Sequence, residues 1–360
     1  IRYCCIEHLH ADRKNHKAFC RAIIKENERY KMEINEIIKT GKAEAVNNAL
    51  IEAAAGGNIL VIKKLFKKRG DDIDVNARDS HGETALYRSS LYGFIGITTF
   101  LLQTKGIDVN KPEPEHGDTP LFGASQNGHV ETVTILLGAG GIKVNESNIQ
   151  GATPLIMASK NNHIEVVKLL LGAEGIELNQ PMNSGARSGA TSLFAASERG
   201  HVEVVKLILG ADGINVNTSM KDGTTPLYMA SQNNHIEIVK LLLGAEGIEI
   251  NQPANNGGTA LSVASANGHV EIVKTLLGAK GIKINKSNIQ GATPLLFASQ
   301  YNHIEIVKLL LGAEGIEINQ PANGGVTALA IAKQQKHEVI VQLLTAAGAL
   351  SQFDHEEDDL

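Results

Sequence analysis

The sequence has little from which a single large core or a disulfide framework could be built. Tryptophan is absent and aromatic residues make up 4% of the 360 residues, so Leu, Ile, Val and Ala must fill the interior. The only three cysteines lie in the first twenty residues. No disulfide can therefore stabilise the rest of the chain, which favours a reducing compartment, the cytoplasm or the nucleus. No apolar run approaches the ~20 residues of a membrane span, and nothing resembles a signal peptide.

The sequence also has little excess of either charge, except near its two ends. The net charge is −5; residues 1–42 carry ten Lys and Arg against six Asp and Glu, and residues 351–360 carry five acidic residues. The body between them offers no basic surface for a phosphate backbone, so we expect no nucleic-acid partner. One basic run at residues 63–69 has the spacing of the solvated side of a helix.

What the sequence does contain is a repeat. The string "GATPLIMASKNNHIEVVKLLLGAEGIELNQP" (151–181) returns 140 residues later as "GATPLLFASQYNHIEIVKLLLGAEGIEINQP" (291–321). A threonine opens each unit, mostly at a spacing of 34 residues: Thr84, Thr119, Thr153, Thr191, Thr225, Thr259, Thr293 and Thr327. A degenerate earlier unit has Asn48 in the threonine position. The spacing predicts about nine repeats between residues 43 and 350, stacked as a solenoid without one central core.

Each unit has the pattern of turn, helix, tight turn, helix and loop. A glycine two residues before the threonine suits a tight turn, and the threonine can cap the first helix. Ile164, Val167, Leu170 and Leu171 then fall on one face of the second helix of their repeat. The unit closes with a string such as "GIEIN".

At these residues the chain resembles the ankyrin family, whose units read roughly TPLHxAAxxGH…LLLxxGADVN. The resemblance implies an all-α solenoid of helix-turn-helix repeats with hairpin loops, and protein partners bound by the repeats. The histidine that the family places after TPL is missing, which puts its hydrogen-bond network in doubt. Other residues occupy that position: Tyr87, Phe122, Ile156, Phe194, Tyr228, Ser262, Leu296 and Ala330. The fifth unit also has a four-residue insertion in its hairpin, within residues 180–190.

The N-terminal segment carries a different motif. Cys4, His8, His16 and Cys20 have the spacing C-x3-H-x7-H-x3-C, a set of thiolate and imidazole ligands that suits zinc. Residues 1–20 resemble the C-terminal half of a MYND-type zinc finger, with His8 in place of a cysteine. The resemblance implies eight ligands for two zinc ions, so we expect neither site to close within these residues alone. Incidental cysteines and histidines on a helical segment are the alternative.

Apolar residues at helical spacing follow the finger motif up to Gly41. We expect residues 21–42 to form a linking helix that covers the open end of the first repeat. An acidic tail, residues 351–360, follows the last repeat.

His-x-Glu pairs such as His163/Glu165 recur once in most units. A catalytic site needs one copy, so the recurrence favours an architectural role in which the histidine bonds the backbone of a neighbouring repeat. No phosphate-binding glycine loop or nucleophile elbow is present. We therefore expect no catalytic residues and no enzymatic activity in this chain.

Contacts in the ankyrin family commonly use the hairpin tips and the exposed end of the first helix. The resemblance maps partner binding onto positions rich in uncharged amides, with two exposed isoleucines at hairpin tips: Tyr92, Gln126, Asn127, Ile149, Lys160, Asn161, Glu198, Arg199, Gln232, Asn233, Asn267, Ile289, Gln300 and Tyr301.

The sequence thus predicts a monomeric adaptor that binds protein partners, such as an extended segment, and neither membrane nor nucleic acid. Because the chain begins at Ile1 rather than Met, we expect it to be part of a longer protein. The alternative function is therefore the regulatory region of an enzyme whose catalytic domain lies upstream.

Overall fold

The computed structural model describes residues 32–350, and the zinc-ligand motif and the acidic tail lie outside them. The described chain is helical, without strands, and eighteen of its α-helices form nine consecutive pairs. The first helices of the pairs are α1 (Ala43–Ala55), α3 (Ala85–Leu91), α5 (Pro120–Gln126), α7 (Pro154–Lys160), α9 (Ser192–Arg199), α11 (Pro226–Gln232), α13 (Ala260–Asn267), α15 (Pro294–Gln300) and α17 (Ala328–Gln334).

The second helices are α2 (Ile59–Arg69), α4 (Ile95–Leu102), α6 (Val130–Leu137), α8 (Ile164–Leu171), α10 (Val202–Leu209), α12 (Ile236–Leu243), α14 (Val270–Leu277), α16 (Ile304–Leu311) and α18 (Glu338–Ala346). A short 3₁₀ turn, Gly70–Asp72, follows α2. The expected all-α fold of nine helix-turn-helix repeats with connecting hairpin loops is confirmed. Among the described residues, no helix has both the length and the apolar character needed to span a bilayer.

The recurring threonine sets the start of each first helix. The Oγ1 atom of Thr153 accepts a hydrogen bond from the backbone nitrogen of Ile156 at 3.2 Å, and Pro154 takes the first helical position, where no N–H is needed. The residue three after the threonine fills the core in most repeats, as Phe194 does at 1% exposure. Packing therefore replaces, at this position, the histidine of the related family.

The second helices bury a slightly different face from the predicted one. In α8 the buried residues are Val166, Val167 and Leu170, while Ile164 and Leu171 are half-buried. Val166 was not in the predicted set, because α8 packs on both α7 and α10 rather than on one helix.

The turn between the two helices of a pair needs a left-handed residue. Glycine supplies it at Gly128, whereas Asn162 has φ of 61° in the next repeat, and asparagine is the residue that tolerates this region best after glycine. In the last repeat Lys336 adopts the same φ of 61°.

The chain divides into two compact units. Unit 1 comprises the described residues up to Ala124 together with Glu131–Ile142, and unit 2 comprises Ser125–Val130 and the described residues from Lys143 onward. Within unit 1, α1 packs on α3 and α2 packs on α4. Within unit 2, first helices pack on first helices from α7 to α17, and second helices on second helices from α8 to α18.

A helical segment at residues 32–40 lies against the first repeat of unit 1. Ile34 in this segment is buried, at 2% exposure. The guanidinium of Arg69 at the end of α2 donates to the backbone oxygens of Ile38 and Gly41, at 3.2 Å and 2.9 Å. The orphan carbonyls at the end of the segment are thereby satisfied by the first repeat.

Candidate protein-binding surface

The sequence predicted contact residues at first-helix ends and hairpin tips, and the structure leaves four large side chains exposed there. In unit 2, Ile149 and Ile289 are 62% and 63% exposed, and Tyr301 at the end of α15 is 51% exposed. In unit 1, Tyr92 at the end of α3 is 47% exposed. Exposed apolar and aromatic side chains at defined positions are typical of contact surfaces.

The two isoleucines occupy hairpin tips of the same construction. Asn148 Oδ1 accepts hydrogen bonds from the backbone nitrogens of Gln150 and Ala152, both at 3.0 Å. Asn288 accepts the equivalent pair at 3.0 Å and 2.9 Å. This asparagine turn fixes the backbone on both sides of each isoleucine, so the exposed side chain is presented by a preorganised loop.

Successive hairpins of unit 2 are joined through their backbones. The nitrogen of Asn183 donates to Gln150 O at 3.1 Å, and the nitrogen of Asn323 donates to Gln290 O at 2.8 Å. The nitrogen of Ile289 likewise donates to Asn256 O at 2.9 Å. The hairpin tips therefore form a hydrogen-bonded edge rather than separate loops.

Three of the predicted amide residues also bind their own chain. The Nδ2 atoms of Asn161, Asn233 and Asn267 donate to the carbonyl of a residue 35 positions earlier, at distances of 2.8, 2.9 and 3.2 Å. Each side chain keeps Oδ1 and a second N–H for other hydrogen bonds. These asparagines therefore both couple adjacent repeats and line the candidate surface.

The recurring histidines have the architectural role that their repetition indicated. His163 Nε2 lies 2.9 Å from Gln126 O, and His235 Nε2 lies 3.1 Å from Glu198 O in the preceding repeat. His201, His269 and His303 make the equivalent contact through Nε2 at 2.9 to 3.0 Å, and His337 contacts Ser299 O through Nδ1 at 2.9 Å. Within residues 32–350 no cluster of histidine, cysteine and acidic side chains could hold a metal ion, and the predicted ligands Cys4, His8, His16 and Cys20 lie outside that range.

Glu198 and Arg199, adjacent at the end of α9, differ in their surroundings. Arg187, from the insertion in the fifth hairpin, forms an ion pair with the Glu198 carboxylate. Arg199 is exposed and forms no ion pair with any described carboxylate. Arg199 is therefore an exposed cation with no ion-pair partner among the described residues, while Glu198 is held by Arg187.

The second helices of unit 2 present a charged but internally neutralised face. Glu165 and Lys168 on α8 form an ion pair of 2.7 Å, and Glu305 and Lys308 on α16 form the same pair at 2.8 Å. Equivalent pairs occur on α10 and α12. Exposed pairs of this kind stabilise by at most ~1 kcal/mol and favour hydration, so this face is less suited to a partner than the uncharged first-helix ends.

Sequence reasoning gave no role to the asparagine that closes each repeat. Asn217 Nδ2 donates to Gly247 O at 2.7 Å, and Asn217 Oδ1 accepts from the Glu249 nitrogen at 2.9 Å, so the amide pairs with one loop of the next repeat. Its counterparts donate to the corresponding glycine: Asn76 and Asn110 in unit 1, and Asn145, Asn179, Asn251, Asn285 and Asn319 in unit 2. The recurrence of Asn in the "GIEIN" strings was the signal.

Tyr92 in unit 1 lies beside a cluster of charges. Arg88 forms ion pairs with Glu83 and Asp79, the latter at 3.2 Å, and its backbone oxygen accepts from the Tyr92 nitrogen at 3.2 Å. Burial opposes ionisation of Asp79, but hydrogen bonds from the backbone of Glu83 and His81 and from Arg88 outweigh it and lower the pKa of Asp79. Burial raises the pKa of Glu83 despite the nearby guanidinium. These contacts fix the end of α3 and hence the position of Tyr92.

Comparison with known families agrees with this construction. A model of ankyrin repeats in three copies matches residues 8–113, 111–182, 179–254 and 261–354, and a second ankyrin-repeat model matches residues 233–277. The chain therefore belongs to the ankyrin-repeat family. Ankyrin repeats are generally protein–protein interaction modules and are typically non-enzymatic. The first match begins inside the segment that resembles a zinc finger. No curated protein matches the chain.

Proposed function

We propose that this chain is a non-enzymatic scaffold or adaptor that binds a protein partner through its first-helix ends and hairpin tips. The observation that carries the proposal is the exposure of Ile149 and Ile289 on preorganised hairpin tips. An apolar side chain held in solvent by an ordered turn adds nothing to the core of its own unit. A partner that covers it gains about 25 cal/mol per Å² of buried apolar area.

The first-helix ends of unit 2 support a polypeptide partner. Uncharged amides predominate at these ends, as at Gln232, Asn233 and Gln300, and charged residues are few. Arg199 is one of the charged residues and forms no ion pair with a described carboxylate. Amides donate and accept hydrogen bonds, so they suit the backbone of an extended polypeptide. Apolar side chains at intervals along that polypeptide would meet the isoleucines and Tyr301. Such a surface carries many unrelated specificities on one fold.

The proposal is tested with a partner selected from a displayed protein or peptide library against the full chain. Replacing Ile149, Ile289, Arg199 and Tyr301 together by Ala should leave the denaturation profile nearly unchanged and weaken binding at least tenfold, about 1.4 kcal/mol. The matched control replaces four exposed residues of the second helices, Glu165, Lys168, Glu305 and Lys308, by Ala. Equal affinities for the two quadruple variants would move the interface away from the hairpin edge.

We further propose that Cys4, His8, His16 and Cys20 contribute to a zinc finger and that the protein is located in the cytoplasm or the nucleus. The ligand types and their spacing support zinc, and the confinement of all cysteines to residues 4–20 supports a reducing compartment. The zinc content of this chain, measured after removal of loosely bound metal, should be near zero if ligands from outside it complete the sites. Tight stoichiometric zinc would show instead that the four residues form a site alone.

A further inference from the structure

The second helix of the first repeat, α2, differs from the other second helices in its surface charge. In α8, α10, α12 and α16 the second residue is a glutamate, and it pairs with a lysine three positions later, as Glu237 does with Lys240 at 2.8 Å. In α2 the same two positions are Leu60 and Lys63. The helix therefore has the lysine of the pattern without the carboxylate that neutralises it elsewhere.

The rest of α2 increases this difference. Lys63, Lys64, Lys67 and Lys68 are all exposed, and none forms an ion pair with a described carboxylate. Lys64 Nζ donates to the amide oxygen of Asn35 in the helical segment 32–40. Lysines four residues apart on one helix repel each other, which costs a few tenths of a kcal/mol for each of the two pairs. An isolated helix surface gains nothing from this arrangement.

Leu60 extends the same face with an apolar group. Its side chain is 76% exposed, the largest exposure of any large apolar residue in the described chain. Residues three, four and seven positions after Leu60 are lysines, so leucine and lysines form one stripe along α2. The glutamate that stands here in unit 2 would favour the helix N-terminus as well as the ion pair. Leu60 provides neither effect, so the helix is less stable than it would be with glutamate here. An exposed leucine beside lysines suits a ligand that is both apolar and acidic.

The charges and side chains of residues 351–360 complement this stripe. The segment reads SQFDHEEDDL, with Phe353 followed by five carboxylates. Seven residues from Phe353 to Asp359 span at most about 25 Å, whereas the eleven residues of α2 span about 16 Å. One segment is therefore long enough to place its aromatic ring near Leu60 and its carboxylates along the lysines.

We infer that the stripe formed by Leu60, Lys63, Lys64, Lys67 and Lys68 binds the acidic segment 351–360 of a second copy of this chain. The stripe lies in unit 1 and Leu350 lies in unit 2. The segment of a second copy can reach the stripe wherever unit 2 of the same chain lies, so the contact depends on protein concentration. Because the two surfaces are different, the contact is heterologous and joins copies head to tail. It is separate from the hairpin edge of the proposed function.

Full-length chains with reversed charges test the contact. One variant carries Lys63→Glu and Lys67→Glu, and the other carries Glu356→Lys and Asp358→Lys. Sedimentation velocity in about 50 mM salt should show concentration-dependent association of the wild-type chain and at least tenfold weaker association of each variant alone. An equimolar mixture of the two variants should associate again. Raising the salt to about 500 mM should abolish association by screening the exposed charges.

Two further variants separate the contact from a structural effect. Leu60→Glu restores the carboxylate found in unit 2, so it should leave the unfolding midpoint equal or higher while association weakens at least tenfold. Lys168→Glu with Lys240→Glu changes the net charge as much as the α2 variant does and should leave association unchanged. Association that survives reversal of α2, or variants that affect only binding to DNA or to anionic vesicles, would overturn the inference.

Discussion

The ring nitrogen Nε2 of His163 lies 2.9 Å from the backbone oxygen of Gln126, which belongs to the preceding repeat. The same oxygen accepts a hydrogen bond from Asn161 Nδ2 at 2.8 Å. Gln126 is the last residue of α5, where a carbonyl has no partner within its own helix. One repeat thus satisfies the open helix end of the repeat before it, which links the stabilities of neighbouring repeats.

Replacing His163 by Ala should lower the free energy of unfolding by about 1–2 kcal/mol, because a hydrogen bond and part of the packing between repeats are lost. Urea denaturation measures the loss, and hydrogen exchange should localise it to α7 and α8. His81, an exposed histidine of unit 1, provides the control, since His81→Ala should cost less than about 0.5 kcal/mol. Equal losses for the two variants would contradict the coupling role.

The asparagines that close the repeats allow a test with the same substitution two residues apart. Asn217→Asp removes the donor to Gly247 O and places a negative charge against that oxygen, so stability should fall by about 1–3 kcal/mol. The side chain of Asn215 acts as an acceptor: its Oδ1 accepts a hydrogen bond from the nitrogen of Asn217 at 3.0 Å. Asn215→Asp should therefore be nearly neutral in thermal or chemical denaturation, as Asp108 in the same position of unit 1 indicates. A larger loss at Asn215 than at Asn217 would refute this assignment.

The sequence was sufficient to predict the helix pairs, their caps and the role of the histidines, because each depends on residues that recur at fixed spacing. The threonine cap at Thr153 and the exposed tip at Ile149 are local features of this kind. The ion pair of Arg187 with Glu198 could not be predicted, since the insertion that carries Arg187 occurs once and its path depends on packing. The hydrogen bond from Asn161 Nδ2 to Gln126 O was not predicted, because the two residues are 35 positions apart and become neighbours only when the repeats stack.

Glu113 gives unit 1 a pH-dependent stability. Its side chain is 5% exposed, and its carboxylate accepts from the backbone nitrogens of Glu115, His116 and Asp118 at 2.8, 2.7 and 3.0 Å. Burial alone would raise the pKa of Glu113, but these donors outweigh it and hold the pKa below the ordinary value of 4.5. A folded-state pKa below the unfolded one contributes stability above the unfolded pKa, and this contribution is lost as the pH falls through the folded pKa.

We therefore expect Glu113→Gln to lower the stability of unit 1 at neutral pH by about 1–2 kcal/mol, because the charged acceptor is lost. The difference between variant and wild type should shrink as the pH falls below 4.5. Denaturant titrations at several pH values, followed by hydrogen exchange in α3 and α4, measure both effects. Glu115, an exposed neighbour, is the control, and Glu115→Gln should leave the pH profile unchanged. Parallel profiles for wild type and Glu113→Gln would exclude this origin of the pH dependence.

In the last repeat, Lys336 has a backbone conformation that is unfavourable for a residue with a Cβ atom. Lys336 has φ of 61°, in the turn where Gly268 and Asn302 serve other repeats of unit 2. The left-handed conformation costs a residue with a Cβ atom roughly 1–2 kcal/mol, and glycine avoids most of that cost. The lysine side chain is exposed, so its removal loses little packing. Glycine has a more flexible unfolded state, which offsets part of the gain.

Lys336→Gly should accordingly raise the free energy of unfolding by about 0.5–1 kcal/mol, and Lys336→Asn should give a smaller increase. Lys333, three residues earlier in α17, is also exposed and is helical. Lys333→Gly should therefore lower stability by up to about 1 kcal/mol, which gives the same substitution the opposite sign. Hydrogen exchange in α17 and α18 should show both changes locally, because these helices form the last pair of unit 2. Destabilisation by both glycine variants would mean that Lys336 contributes contacts that exceed its backbone strain.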